Sequence, residues 1–213
     1  MKQKNGQPTA SKQRKPQQQR SKARTEAILN AAKELIQEKG SSRLKIQEIA
    51  SRAGITAGSM YQYFPNKEAI ILTLLEQYME QIDVIFANII TEVGSIADLV
   101  EMLDNLHSQY YELFKNNPIY QDITASWAAD KTISQRDIED SLSNANKIFE
   151  VAKHLFPQER HQELQQVLLL MMHTAPNIIR LAINLKDDET EAMIATSKKL
   201  LLGSVVHLSD ASL

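Results

Sequence analysis

From Ile28 to Leu208 the chain repeats apolar residues at three- and four-residue spacing, and little interrupts the pattern. Side chains three and four apart share one face of an α-helix, so this spacing dictates amphipathic helices that must bury their stripes against one another. Only 6 Gly and 6 Pro occur among 213 residues, leaving few positions that end or kink such helices. The expected fold class is therefore all-α, with about nine helices. Hydrophobic residues at 43% and charged residues at 23% suit a globular protein long enough for one or two domains.

Several functions are excluded at this level. There is no cysteine, so disulfides, thiolate metal sites and cysteine nucleophiles are out, which agrees with a cytoplasmic setting. The first residues are polar and basic, without the apolar core of a signal peptide. The best apolar run, Val167 to Met172, is far too short to cross a membrane, and no membrane partner is expected. His107, His154, His161, His173 and His207 are dispersed, so no metal site is expected. No Walker loop, GxGxxG or GxSxG signature occurs, which argues against an enzyme and gives no reason to expect a cofactor.

Charge is distributed unevenly. Residues 1–68 hold 14 Lys/Arg against 5 Asp/Glu, and the remainder hold 10 against 21. A basic first third on an acidic body calls for a polyanionic partner, and double-stranded DNA, held by phosphate neutralisation, fits.

The chain divides as follows. Residues 1–22, rich in Gln, Lys and Arg, read as an unstructured basic arm. A first helix follows from about Arg24, with Ile28, Ala31, Ala32, Leu35 and Ile36 on one face and Gly40 as its left-handed terminator. Residues 23–68 form the expected DNA-binding domain, and a fourth helix over roughly 67–92 leads to a second domain over 93–213. Asn66 can cap that fourth helix. Further helices are expected over roughly 95–116, 118–129, 132–155, 159–186 and 188–208.

The segment IQEIASRAGITAGSMYQYF, Ile46 to Phe64, has the physical features of a helix-turn-helix. Ala50 is small where the two helices cross, and Gly54 can take positive φ in the turn. Ile55, Met60 and Phe64 plug the space beneath. Thr56 can cap the second helix by accepting from the Ser59 backbone N–H. Pro65 ends that helix at Phe64. Ala57, Gly58, Ser59, Tyr61, Gln62 and Tyr63 are left outward, where small residues permit close approach to base edges and hydroxyls can donate to phosphate.

On these residues the stretch from Arg24 to Glu76 resembles the DNA-binding domain of the TetR family. The resemblance rests on TEAILNAAKELIQEKG, IQEIASRAGIT and GSMYQYFPNKEAI, and the run from Gly58 to Lys67 is its most specific part. It implies a recognition helix from Ala57 to Phe64, with Ala57, Gly58 and Ser59 nearest the bases. Tyr61, Tyr63 and Lys67 would grip phosphates, and Lys45 and Gln47 would reach the neighbouring backbone or a base edge. Gln62 is at most a peripheral contact. Two departures from the family pattern remove polar contacts: alanine stands at 57 where many relatives carry lysine, and a threonine is missing near Lys45-Ile46.

A helix-turn-helix protein binds two half-sites as a symmetric dimer, so the second domain should dimerise, and its last two helices are the expected face. The resemblance also implies an effector pocket, placed between about residues 95 and 185. Its candidate lining is Leu103, His107, Tyr110, Tyr111, Phe114, Trp127, Phe149, Met171, His173 and Asn177. Apolar residues at helical spacing are usually plain core, and most of this set is assigned there. Pro176 sets one region apart, because it frees a carbonyl inside an apolar helix between His173 and Asn177. The expected function is a ligand-released repressor of a palindromic operator, answering a small, largely apolar effector. The competing reading is a chromosome-organising or cell-division factor controlled by a protein partner; a cavity would favour the former.

Overall fold

The computed structural model describes residues 11–125 and 131–210, with side chains over 19–124 and 134–209. Among the described residues there are nine α-helices and no strand. In chain order they are α1 (Ser11–Lys39), α2 (Ile46–Arg52), α3 (Ala57–Met60), α4 (Lys67–Ile89), α5 (Ile96–Lys115), α6 (Pro118–Ala125), α7 (Lys131–Ala152), α8 (His161–Ile183) and α9 (Asp187–Asp210). The all-α expectation stands. The chain separates into two compact units, Met1–Leu74 and Leu75–Leu213, and α4 runs unbroken through the boundary. The division thus falls inside the fourth helix, a few residues beyond the expected end of the DNA-binding domain.

In the first unit, α1 buries Ile28, Ala31, Ala32, Leu35 and Ile36, the stripe its periodicity predicts, and Leu29 beside them. Gly40 follows with φ 83 and ψ 155, accepted by few residues other than glycine. Its φ is positive as expected, but its ψ is extended rather than left-handed helical. Residues 11–22, expected to be unstructured, belong to α1. Gln, Lys, Arg and Ala are strong helix formers and prolong a helix already anchored by its buried stripe. Residues 1–10 of the expected arm lie outside the described residues.

In the second unit, α8 packs most extensively against α7 and α9, and α5 packs against both α8 and α9. Leu99, Ile148, Leu164, Leu168, Ile179 and Val205 form the deepest part of the core. Ser95 caps α5 by accepting from Asp98 N at 3.2 Å, and Pro118 opens α6, where its missing N–H costs nothing. Asp187, Asp188 and Glu189 occupy the first turn of α9, as carboxylates at a positive helix end should. Contrary to expectation from short apolar runs, Gln158–Ile183 is long and apolar enough to cross a membrane by length and composition alone. In the structure it is the central packing helix of the unit. Pro176 lies within α8 without ending it.

Candidate nucleic-acid interface and effector cavity

The helix-turn-helix is built by the short-range features its sequence contains. Ala53 N bonds Ile49 O at 2.8 Å, and Gly54 turns the chain with φ 65. Thr56 Oγ1 then accepts from Ser59 N at 3.2 Å and starts α3. Ala50, Met60 and Phe64 are buried and Ile55 half-buried, filling the space beneath the crossing. The expected recognition helix to Phe64 is shorter as an α-helix, ending at Met60. Beyond it Gln62 N bonds Ser59 O at 3.2 Å and Tyr63 N bonds Met60 O at 3.0 Å, the tighter three-residue pattern. Phe64 N then bonds Met60 O at 3.0 Å, and Pro65, which disfavours helix in the residue before it, marks the end of the turn.

Two basic residues of this unit are spent internally. Arg52 spans Glu38, at 2.8 and 3.0 Å, and Glu34, at 3.1 Å, fastening α2 to α1. Lys39 pairs with Glu48 across the same joint. The guanidinium of Arg52 holds the Glu38 carboxyl below its usual range, and the Lys39 ammonium does the same for Glu48. Lys45 and Lys67 make no salt bridge among the described residues, although Lys45 is near enough to Glu48 to help lower its carboxyl.

The remaining predicted contacts lie where an outer ligand can reach them. Lys45, Gln47, Thr56, Ala57, Gly58, Tyr61 and Gln62 are exposed, and Ser59, Tyr63 and Lys67 are half-buried. Tyr61 is 52% exposed, more than a packing role would leave it. Tyr63 shares a shallow groove with Arg20 and Arg24 of α1, so a hydroxyl and two guanidinium side chains line one surface. Lys67 opens α4, whose first turn is capped by Asn66 Oδ1 accepting from Ala69 N at 2.8 Å. A cation at the positive end of a helix is better placed with an anion beside it. Around Gly58 nothing lies within 4 Å of where a Cβ would stand, so its missing side chain serves no packing need inside the chain.

The second unit contains a divided cavity. One chamber of about 240 Å³ is lined by Tyr78, Phe86, Tyr110, Asp137, Asp140, Ser141, Lys147 and Met172, among others. Another of about 220 Å³ is lined by Phe114, Thr124, Ser134, His173, Asn177 and Arg180. Tyr78, Tyr110, Asp137 and Pro176 line both and form the wall they share. The hydroxyls of Tyr78 and Tyr110 are hydrogen-bonded to each other across this wall. Tyr110 also stacks on Phe114 with ring centroids 5.2 Å apart. Burial pushes the Tyr110 hydroxyl well above the ordinary phenol range, so it is neutral and can donate or accept. Burial likewise raises the carboxyls of Asp137 and Asp140, while His173 and Arg180 draw Asp137 back down. A third, apolar chamber of about 40 Å³ adds Leu103, Leu106, His107, Met171 and Leu201.

Of the predicted pocket residues, the structure places Leu103, His107, Tyr110, Phe114, Met171, His173 and Asn177 on these chambers. Tyr111 does not line them: it is half-buried against the core, with Lys115 Nζ 5.4 Å from its ring centroid. Phe149 is buried core, edge-on to the His161 ring at 5.5 Å. Both rings are taken up by packing against the core rather than by the chambers. Trp127 lies outside the described residues. Sequence reasoning missed Tyr78, Asp137, Asp140 and Arg180. A signal existed on α7, where Ser134, Asp137, Ser141 and Asn144 recur at helical spacing as a polar stripe.

Comparison with known proteins follows the same division. Residues 28–74 match the model of the tetR family of bacterial regulatory proteins, and residues 97–206 match the tetracyclin repressor-like C-terminal domain. The chain is similar to EthR, an HTH-type transcriptional regulator of Mycobacterium tuberculosis, at 39% identity over 57 residues. That alignment spans 27% of this chain and 26% of EthR, about a quarter of the relative's length. Among solved structures, the fatty acid degradation regulator FadR from Bacillus halodurans superposes with TM-score 0.67 at 21% identity, over 84% of this chain and 94% of FadR. RolR, solved in complex with resorcinol, superposes with TM-score 0.58 at 15% identity, over 92% of this chain and 97% of RolR. At these identities the structural likeness establishes the fold.

Proposed function

The chain belongs to the TetR family of bacterial regulatory proteins, DNA-binding transcriptional regulators rather than enzymes, and from that premise we propose a ligand-released repressor acting on a palindromic operator. The observation that carries the effector part is the divided cavity of the second unit, whose wall includes Tyr78 of α4. The helix that begins at Lys67, beside the proposed phosphate contacts, is therefore the helix that touches the effector site. An effector binding between the chambers acts on α4 through Tyr78, and α4 changes the separation of the two recognition helices in a dimer. Such a ligand shifts the population only by its differential affinity for the two arrangements. The cavity also favours a small molecule over a controlling protein partner.

In this reading Ala57, Gly58 and Ser59 approach the bases, and Lys45, Gln47, Tyr61, Tyr63 and Lys67 position the phosphate backbone. The dimer forms through α8 and α9. Large apolar side chains exposed in the single chain support this: Leu170 at 62% and Leu181 at 55% on α8, and Leu200 at 67% on α9. Two such helices from each protomer make a four-helix bundle that buries them. The protein acts in the cytoplasm, where the operator is.

The test is selection of bound duplexes from a random DNA pool, repeated with Tyr61→Phe and Lys67→Ala. A palindrome enriched by the parent and weakened in both variants is the expected result. A folded dimer that enriches nothing at low salt refutes the DNA-binding assignment.

A further inference from the structure

Two buried polar side chains on the walls of these chambers carry an unpaired atom. Among the described residues, His107 Nδ1 and Asp140 Oδ2 are the buried side-chain atoms without a hydrogen-bond partner. Asp140 still faces the Arg136 guanidinium at 3.7 Å. His107, only 7% exposed, has nothing comparable at Nδ1.

The protonation pattern of this histidine follows from its neighbours. Ser197 Oγ lies 2.8 Å from the Ile194 carbonyl, which can only accept, so the one hydroxyl hydrogen goes there. His107 Nε2 lies 3.0 Å from the same Oγ and must therefore be the nitrogen that donates. In a neutral imidazole the other nitrogen is then a bare acceptor. The neutral form is the one present, because burial and then the Lys198 ammonium lower its pKa to about 4, against a smaller opposing effect of Asp104. Lys198 donates to Asp104 at 2.9 Å and Ser108 at 2.8 Å, and no hydrogen bond joins it to Nδ1.

The surroundings limit what can serve it. The chamber beside His107 is walled by Leu103, Leu106, Met171 and Leu201, and it shares Tyr110 and Pro176 with the larger chamber. A cationic donor would enter an apolar wall already bordered by Lys198. An anion would lose the hydration of its charge against the same apolar wall. An amide could donate but would strand its carbonyl among leucines and methionine.

We propose that the effector is a neutral, apolar molecule carrying a hydroxyl group, and that His107 Nδ1 accepts the hydrogen of that hydroxyl. This deepens the effector reading above and rests on it. His107 acts as a binding residue, and Ser197 as the positioning residue that fixes which nitrogen is left to accept.

The test uses the full chain with 15N-labelled histidine and two isomeric probes, 1-hexanol and methyl pentyl ether, of which only the alcohol donates. The His107 resonances are assigned by their disappearance in His107→Gln or, should that variant fail to fold, in His107→Asn. The expected ligand-free spectrum has Nε2 protonated and Nδ1 bare. Hexanol should move Nδ1 toward its hydrogen-bonded shift and the ether should not. Hexanol should also bind about tenfold more tightly than the ether, the effect of one hydrogen bond to a buried acceptor. Glutamine at 107 keeps a partner for Ser197 and should erase that preference. A protonated Nδ1, a Nδ1 that ignores hexanol, or equal affinities for the two probes overturns the proposal. A Nδ1 already hydrogen-bonded before ligand, and unmoved by it, overturns it in favour of a bound water. Binding to the selected operator is followed in the same samples. Operator binding that persists while Nδ1 ignores hexanol sinks the ligand class alone, whereas absent operator binding sinks the regulator reading.

Discussion

His107 on α5 and Ser197 on α9 stand 90 residues apart in sequence, yet the imidazole Nε2 lies 3.0 Å from the serine Oγ inside the second unit. Lys198 reaches Asp104 and Ser108 beside them, so one polar seam joins the two helices.

That seam gives the protein an acid sensitivity. The folded-state pKa of His107 is lowered from 6.5 to about 4, so between these values the unfolded chain takes up a proton that the folded chain refuses. The contribution is fully present above pH 6.5 and is lost as pH falls toward 4, by at most about 3 kcal/mol. The raised carboxyls of Asp137 and Asp140 act in the opposite sense at the acid end, so the comparison must be between variants. Urea unfolding of the parent across this window should lose more stability than that of His107→Gln. Parallel losses would remove His107 from the account.

Gly58 separates folding from DNA contact. A Cβ there meets nothing within 4 Å in the chain, and alanine is the better helix former by about 0.5–1 kcal/mol. Gly58→Ala should therefore melt no lower than the parent while binding the selected operator about tenfold more weakly. Unchanged operator affinity, measured by fluorescence anisotropy, would show that DNA does not approach this backbone closely.

The cap of α4 should be worth a measurable amount. Asn66 Oδ1 accepts from Ala69 N at 2.8 Å from an exposed position, so Asn66→Ala removes a cap without opening a cavity. Chemical denaturation should register a loss of about 1 kcal/mol. No loss at all would mean that water satisfies this helix end equally well.

Leu200 tests the proposed dimer. It is 67% exposed on α9, and Gly203, one turn on, has no atom near its absent Cβ, leaving a low surface for a second helix. Leu200→Glu should turn a dimer into a monomer in light scattering while leaving helical content intact. A variant that stays dimeric would place the interface elsewhere.

Much of the DNA-binding unit was legible because its determinants act within a few residues. Gly54, Thr56 and Asn66 each set a turn or cap through their own local chemistry, and each does so in the structure. The misjudgements there concern ends. The run 11–22 has nothing to bury, yet it extends a helix nucleated downstream. The recognition helix narrows to a tighter turn ahead of Pro65. In the second unit the same reasoning found Tyr110, Phe114 and His173 on the cavity but passed over Tyr78, Asp137 and Arg180. A polar residue on an amphipathic helix reads as solvated until the neighbouring helix is known to leave a space in front of it.

Helical spacing, charge asymmetry and the residues from Ile46 to Lys67 determined by themselves that this chain folds all-α and presents a helix-turn-helix to DNA. These properties follow from contacts three or four residues apart and from charge counted along the chain. Only the tertiary structure decided that α4, α5, α7 and α8 meet around a divided cavity and that Ser197 dictates which nitrogen of His107 accepts. A buried stripe records that a face must be covered, but packing across many residues decides what covers it and where a space is left.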